Sequence, residues 1–206
     1  MKLIIISGKS GSGKSTAIQV LEDIGYYCVD NLPAALLPET LNYLQSLQSD
    51  ISDSNPKPSI PQEHIALCID ARNPVKHLEQ LPQIIQKLKL DKQKFEIDFI
   101  YLDANDETLI QRYSATRRRH PMANQTQGLQ SAIEYEDKVL APIADLASIR
   151  IDTTHLSLYE LRDVIKYRVA ERTEQNLSLQ FISFGFKHGL PLDSDIVYDL
   201  RMLPNP

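Results

Sequence analysis

The residues Gly8-Lys9-Ser10-Gly11-Ser12-Gly13-Lys14-Ser15 constrain this chain more than any other stretch, because they follow the pattern G-x-x-x-x-G-K-[ST]. Such a loop lets the backbone close around phosphate groups, with glycines where a Cβ would obstruct the approach. Its N–H groups and the N-terminus of the helix behind it then face the phosphate oxygens. In that arrangement Lys14 reaches the β- and γ-phosphates, and the Ser15 hydroxyl can ligate Mg²⁺. The flanks agree with this reading. An apolar, β-branched run at 3–7 precedes the loop, and Ala17, Val20, Leu21 and Ile24 share one face of the helix that follows. Gly25 is placed to close that helix as its C′ residue. A glycine turn of purely structural purpose would need neither flank. The expectation is a nucleoside triphosphate site.

Five short apolar runs, at 3–7, 26–30, 65–70, 97–103 and 149–152, alternate with helical patterns. That alternation predicts an α/β fold, a parallel sheet flanked by helices. The helices are expected to start near Lys14, Pro38, Asn73, Asp106 and Ser131. A capping box, Ser157-x-x-Glu160, opens one more helix, which points Leu158, Leu161, Val164, Ile165 and Val169 inward and stops near Glu174. Pro82 and Pro142 are expected to break or kink their helices. The polar stretch 48–63 reads as a surface loop. The loop domain is thus expected over 1–175. Beyond it, 179–189 reads as a strand with a glycine turn and 196–200 as another strand, too few residues to build a core. Residues 176–206 are therefore read as the start of a second domain that is cut off.

Composition narrows the class further. With 42% hydrophobic and 24% charged residues and no apolar run of membrane-spanning length, a membrane protein is not expected. The chain opens without a signal-peptide pattern, and Cys28 and Cys68 lie in apolar runs, so buried, reduced thiols and a cytoplasmic location are expected. A net charge of −5 argues against a surface coated for nucleic acid and leaves only a local patch. The 5 histidines show no metal-ligand spacing.

Further candidates lie at strand ends. Ile65-Ala66-Leu67-Cys68-Ile69-Asp70 has the form of a Walker B strand, whose aspartate can hold Mg²⁺ opposite Ser15; strand-ending acids also serve solubility. Asp30 and Asp103 end their runs in the same way, at the edge that faces the ligand crevice of an open sheet. Asp30 in particular can act as a base if the protein is a kinase that passes the γ-phosphate to a small acceptor. The strongest cationic cluster is Arg117-Arg118-Arg119-His120. It suits a catalytic lid over the γ-phosphate, an RNA phosphate contact, or a solvated helix C-terminus, and the residues alone leave these open.

Longer motifs carry a resemblance. They are Leu21-Glu22-Asp23-Ile24-Gly25-Tyr26-Tyr27-Cys28-Val29-Asp30-Asn31-Leu32-Pro33, then Asp70-Ala71-Arg72-Asn73, then Tyr101-Leu102-Asp103-Ala104 followed by Asp106-Glu107-Thr108-Leu109. Thr116-Arg117-Arg118-Arg119-His120-Pro121 and Ser183-Phe184-Gly185-Phe186-Lys187-His188-Gly189-Leu190-Pro191 complete them. On these residues the chain closely resembles the RapZ and YvcJ-like family of P-loop nucleotide-binding proteins, bacterial RNase adapters. The resemblance implies a kinase-like N-terminal domain that binds and hydrolyses ATP and GTP. It places ATP at Gly8, Lys9, Ser10, Gly11, Ser12, Gly13, Lys14 and Ser15, and a GTP-associated D-x-R-N motif at Asp70, Ala71, Arg72 and Asn73. It further implies a small regulatory RNA and an endoribonuclease as partners, in the control of amino-sugar synthesis, with RNA binding and self-association assigned to the C-terminal domain.

Overall fold

The computed structural model describes residues 2–49, 64–90, 95–123, 128–170 and 197–199. The chain divides into two compact units, Met1–Thr173 and Glu174–Pro206. The first is a five-stranded parallel sheet in the order β2-β3-β1-β4-β5. Its strands are β1 (Lys2–Gly8), β2 (Tyr27–Val29), β3 (His64–Cys68), β4 (Glu96–Asp103) and β5 (Ile149–Asp152). The helices are α1 (Lys14–Asp23), α2 (Leu37–Ser49), α3 (Val75–Leu90), α4 (Asp106–Thr116), α5 (Leu129–Ala144) and α6 (Leu158–Ala170). A 3₁₀ turn, Ala34–Leu36, leads into α2.

Period-two alternation in β1 sends its side chains to two separate cores. Leu3 and Ile5 pack with Leu37 and Leu41 of α2, Leu78, Leu81 and Ile85 of α3, and Leu140 and Ile143 of α5. Ile4 and Ile6 pack on the opposite face with Ala17, Val20 and Leu21 of α1 and Leu161, Ile165 and Val169 of α6. Because β1 lies between β3 and β4, its C-terminal end opens at the middle of the sheet, where the glycine loop begins. Helix α1 closes with a Schellman arrangement. The Gly25 N–H donates to the Glu22 carbonyl (3.0 Å) and the Tyr26 N–H to that of Leu21 (2.9 Å).

The expected strands and helix starts agree with these elements to within about two residues, the usual scatter of element ends. Three expectations change. Leu158 does not face inward but is 66% exposed, because at the first position of α6 it projects past the sheet that buries Leu161 and Ile165. Pro82 and Pro142 do not break their helices. Both lie inside continuous ones, with Leu78, Leu81 and Ile85 holding α3 to the sheet across the missing hydrogen bond, and Pro142 falling in the last turn of α5. The loop 48–63, the expected strand at 179–189 and the helix beyond Ala170 lie largely or wholly outside the described residues. Of the expected strand at 196–200, only 197–199 are described, and they carry no regular secondary structure. No helix among the described residues is long and apolar enough to cross a membrane. Both cysteines are free, and burial pushes the Cys28 thiol up to about 11 and that of Cys68 up to about 12.

Candidate functional site

The glycine loop is held at its root by backbone proximity. Gly8 has φ +144°, and a Cβ there would stand 2.1 Å from the Leu102 carbonyl oxygen, so only glycine lets β1 and β4 pair up to the loop. Gly13, at φ +101°, is the N-cap of α1 and offers no side-chain cap. The first N–H groups of α1 are therefore left facing outward, where an anion can accept from them. A Cβ on Gly13 would meet Leu161 Cδ2 at 2.5 Å. The Ser12 hydroxyl is buried and has no hydrogen-bond partner among the described residues.

Lys14 folds into this loop. Its Nζ donates to the carbonyls of Gly8 (2.7 Å) and Lys9 (2.9 Å), the residue is 8% exposed, and it pairs with no carboxylate among the described residues. Ser15, at the next position of α1, is exposed. Lys9 is surrounded quite differently. Its ammonium lies 3.1 Å from Asp137, 3.2 Å from Asp103 and 3.8 Å from Asp106. Burial alone would lower its pKa, but the bonds to Asp137 and Asp103 outweigh that and raise it.

Three groups that the sequence reading did not single out grip the loop from outside. Glu136, fully buried in α5, accepts from the Ser10 N–H (2.9 Å to Oε2, 3.1 Å to Oε1) and from the Ser10 hydroxyl (2.6 Å). His120 Nε2 lies 3.2 Å from the same carboxylate. The Met122 N–H donates to Nδ1 of that ring, which makes Nδ1 the acceptor and Nε2–H the donor to Glu136. Burial pushes the Glu136 carboxyl up, but the hydrogen bonds from His120 and Ser10 and the Lys14 charge hold it below the usual range. On the other side, Arg112 of α4 donates to the Gly11 carbonyl (3.0 Å), and the Thr153 hydroxyl donates to that of Ser12 (3.0 Å). Glu136 had a signal: a lone acid within the apolar stripe Ala132, Ile133, Leu140 and Ile143 of α5. Arg112 and Thr153 had none, because they meet the loop's backbone through tertiary proximity alone.

Two of the strand-end acids, Asp70 and Asp30, converge on one guanidinium, while Asp103 pairs with Lys9. Arg72 Nε lies 2.9 Å and Nη2 2.6 Å from Asp70 Oδ2, while the Arg72 N–H donates to Oδ1 (3.0 Å). Asp30 stands 3.8 Å from the same Nη2. Asp70 is 5% exposed; burial raises its carboxyl, but Arg72 and the Lys14 charge hold it below the usual 3.8. Ala71 is buried beside it. Asn73 spends its amide on the backbone, accepting from the Ala34 N–H (2.6 Å) and donating to the Leu32 and Asp70 carbonyls (3.2 Å each). That staples the turn after β2 to the end of β3. Arg117 ends α4 in the left-handed conformation, φ 52°, and Arg117, Arg118 and Arg119 are all exposed. The structure thus gathers the loop, Asp70 and Arg72 at one sheet edge.

Comparison with known proteins gives a consistent result. The RapZ-like N-terminal domain matches residues 1–173 and the RapZ C-terminal domain matches residues 177–206. A nucleotide-binding protein of Ectopseudomonas mendocina (strain ymp) is 49% identical over 206 residues, spanning 100% of this chain and 68% of that relative. One from Hahella chejuensis (strain KCTC 2396) is 50% identical over the same shares. Among solved structures, shikimate kinase from Bacteroides thetaiotaomicron aligns over 83% of this chain and 97% of its own, with a TM-score of 0.50 at 13% identity. That last likeness concerns the fold.

Proposed function

Since this chain belongs to the RapZ-like family of nucleotide-binding proteins, we propose that it binds ATP or GTP with Mg²⁺ in the loop from Gly8 to Ser15, hydrolyses it slowly, and uses the bound state to regulate a partner. Lys14 carries this reading: a buried ammonium held by two neutral carbonyls and, among the described residues, by no carboxylate. The Asp70 and Glu136 carboxylates act on it only from a distance, and the β- and γ-phosphates would supply a counter-charge in direct contact. The open N-terminus of α1 and the orphaned Ser12 hydroxyl support the same ligand.

The Ser15 hydroxyl and the Asp70 carboxylate, the latter also held by Arg72, are both oxygen donors of the kind that suits Mg²⁺, a hard cation that takes few protein ligands and completes its shell with phosphate and water. The ion would offset charge on the β- and γ-oxygens. Arg117, Arg118 and Arg119 are proposed as the lid that adds positive charge there. In the D-x-R-N motif, Asn73 orders the neighbouring turn, and Arg72, half-exposed and paired with Asp70, is the side chain proposed to meet a GTP-associated ligand.

The regulated partners proposed on the family resemblance are a small regulatory RNA and an endoribonuclease, in the cytoplasm, with self-association through the C-terminal domain. A second reading, a small-molecule kinase, draws on Asp30, half-exposed beside Arg72. Calorimetric titration with Mg²⁺–ATP and Mg²⁺–GTP tests the first reading, and no heat from either overturns it. Mass spectrometry after turnover decides between the two: free phosphate alone supports slow hydrolysis, and a phosphorylated acceptor supports the kinase.

A further inference from the structure

The exposed arginines at 117–119 are bracketed by two anchors, and both anchors end on the glycine loop. Upstream, Arg112 donates to the Gly11 carbonyl at 3.0 Å. Downstream, the run stops at His120, whose side chain is fully buried against Glu136, and Glu136 takes both the N–H and the hydroxyl of Ser10. The Tyr113 ring sits on His120, centroids 5.2 Å apart, and its edge lies 3.4 Å from where a Cβ on Gly11 would stand. The segment between Arg112 and His120 is therefore a strap fastened at Gly11 and, through one buried carboxylate, at Ser10.

We propose that Glu136 and His120 are positioning residues that tie the shape of the glycine loop to the placement of Arg117, Arg118 and Arg119, so that a shift at either is transmitted to the other. A buried carboxylate with all its donors in place tolerates little displacement, since losing one leaves charge uncompensated. When the loop adjusts around a triphosphate, Ser10 and Gly11 carry both ends of the strap with them. The nucleotide half of this inference rests on the reading above; the mechanical half does not.

Hydrogen exchange at the Ser10 amide of the full chain, without nucleotide, tests the mechanical half. His120→Ala removes a group that never touches Ser10, yet is expected to speed that amide by about tenfold or more, the scale of one weakened charge-assisted bond. His120→Gln restores a donor near the Nε2 position and is expected to return it to within about threefold of wild type. Should the alanine variant fail to fold, Glu136→Gln (accelerated) against His120→Gln (protected) makes the same comparison. Unchanged Ser10 exchange, or acceleration only in step with Ile4 and Ile5 in the sheet, overturns the relay. For the second half, the ratio of ATP to ADP affinity is measured for Arg118→Ala in the wild-type and His120→Ala backgrounds. The arginine's effect is expected to shrink to less than about twofold without His120, and an equal effect in both backgrounds overturns the coupling. If the wild type binds neither nucleotide, the functional reading falls, and the exchange result alone decides the relay.

Discussion

Lys9 and Lys14 are buried ammonium groups of one short loop, yet their surroundings give them different work. Lys9 is neutralised by Asp103, Asp106 and Asp137, so it secures the loop to β4, α4 and α5. Among the described residues Lys14 donates only to carbonyls, which leaves its ammonium without a carboxylate in contact. Lys14→Ala is expected to cost on the order of 1.5–3 kcal/mol of triphosphate affinity, more than tenfold. Lys9→Ala is expected to lower stability by about 1 kcal/mol or less, because its carboxylate partners are about half exposed. Calorimetry and thermal melts on the pair separate the two roles. Two acids predict the response to pH. Asp70 and Glu136 both hold their carboxyl pKa below the ordinary values of 3.8 and 4.5. Each is thus more acidic folded than unfolded, so its stabilisation is complete above the unfolded pKa and is lost as pH falls through the folded one. Melting temperature is expected to drop below about pH 4.5, and the double variant Asp70→Asn, Glu136→Gln to flatten that drop. Parallel curves for variant and wild type would contradict it.

Elements declare themselves in the sequence where their signal is local. The capping box of α6 forms as its spacing requires, with the Ser157 N–H donating to Glu160 (2.7 Å) and the Glu160 N–H to the Ser157 hydroxyl (3.2 Å). Ser157→Ala should therefore cost about 0.5–2 kcal/mol, read from denaturant midpoints. The five strands were legible for the same reason: each lies in a short, largely apolar run that an acid or a glycine follows or closes. Pro82 was misleading because its local penalty is offset by Leu78, Leu81 and Ile85 packing on the sheet, a gain no neighbour in sequence reveals. Leu158 misled in the opposite sense, its helical phase being right and its place at the very end of α6 leaving no core to meet. At the site, the glycine pattern disclosed the loop, Lys14 and Ser15. It disclosed nothing of Glu136, Arg112 or Thr153, which meet the loop mostly through its backbone amide and carbonyl groups.

Across the whole molecule, charge sets what the surface can hold. The chain carries −5 overall, and among the described residues its exposed cationic run is Arg117, Arg118 and Arg119. RNA binding through these arginines is expected to weaken with salt at a log–log slope of about 2, from roughly 0.7 per single-strand phosphate contact. Fluorescence anisotropy over a potassium chloride series measures it, and a much steeper slope would require a larger basic surface. The order of the sheet has a consequence in time. β1 is made first, yet its neighbours β3 and β4 end at Cys68 and Asp103. At about 5–20 residues per second, its second partner emerges only some 5–20 seconds later. During that interval Leu3, Ile4, Ile5 and Ile6, all fully buried in the finished sheet, form an unpaired apolar edge on a nascent chain. The strand that carries the phosphate loop is thus the one most in need of shelter at the ribosome.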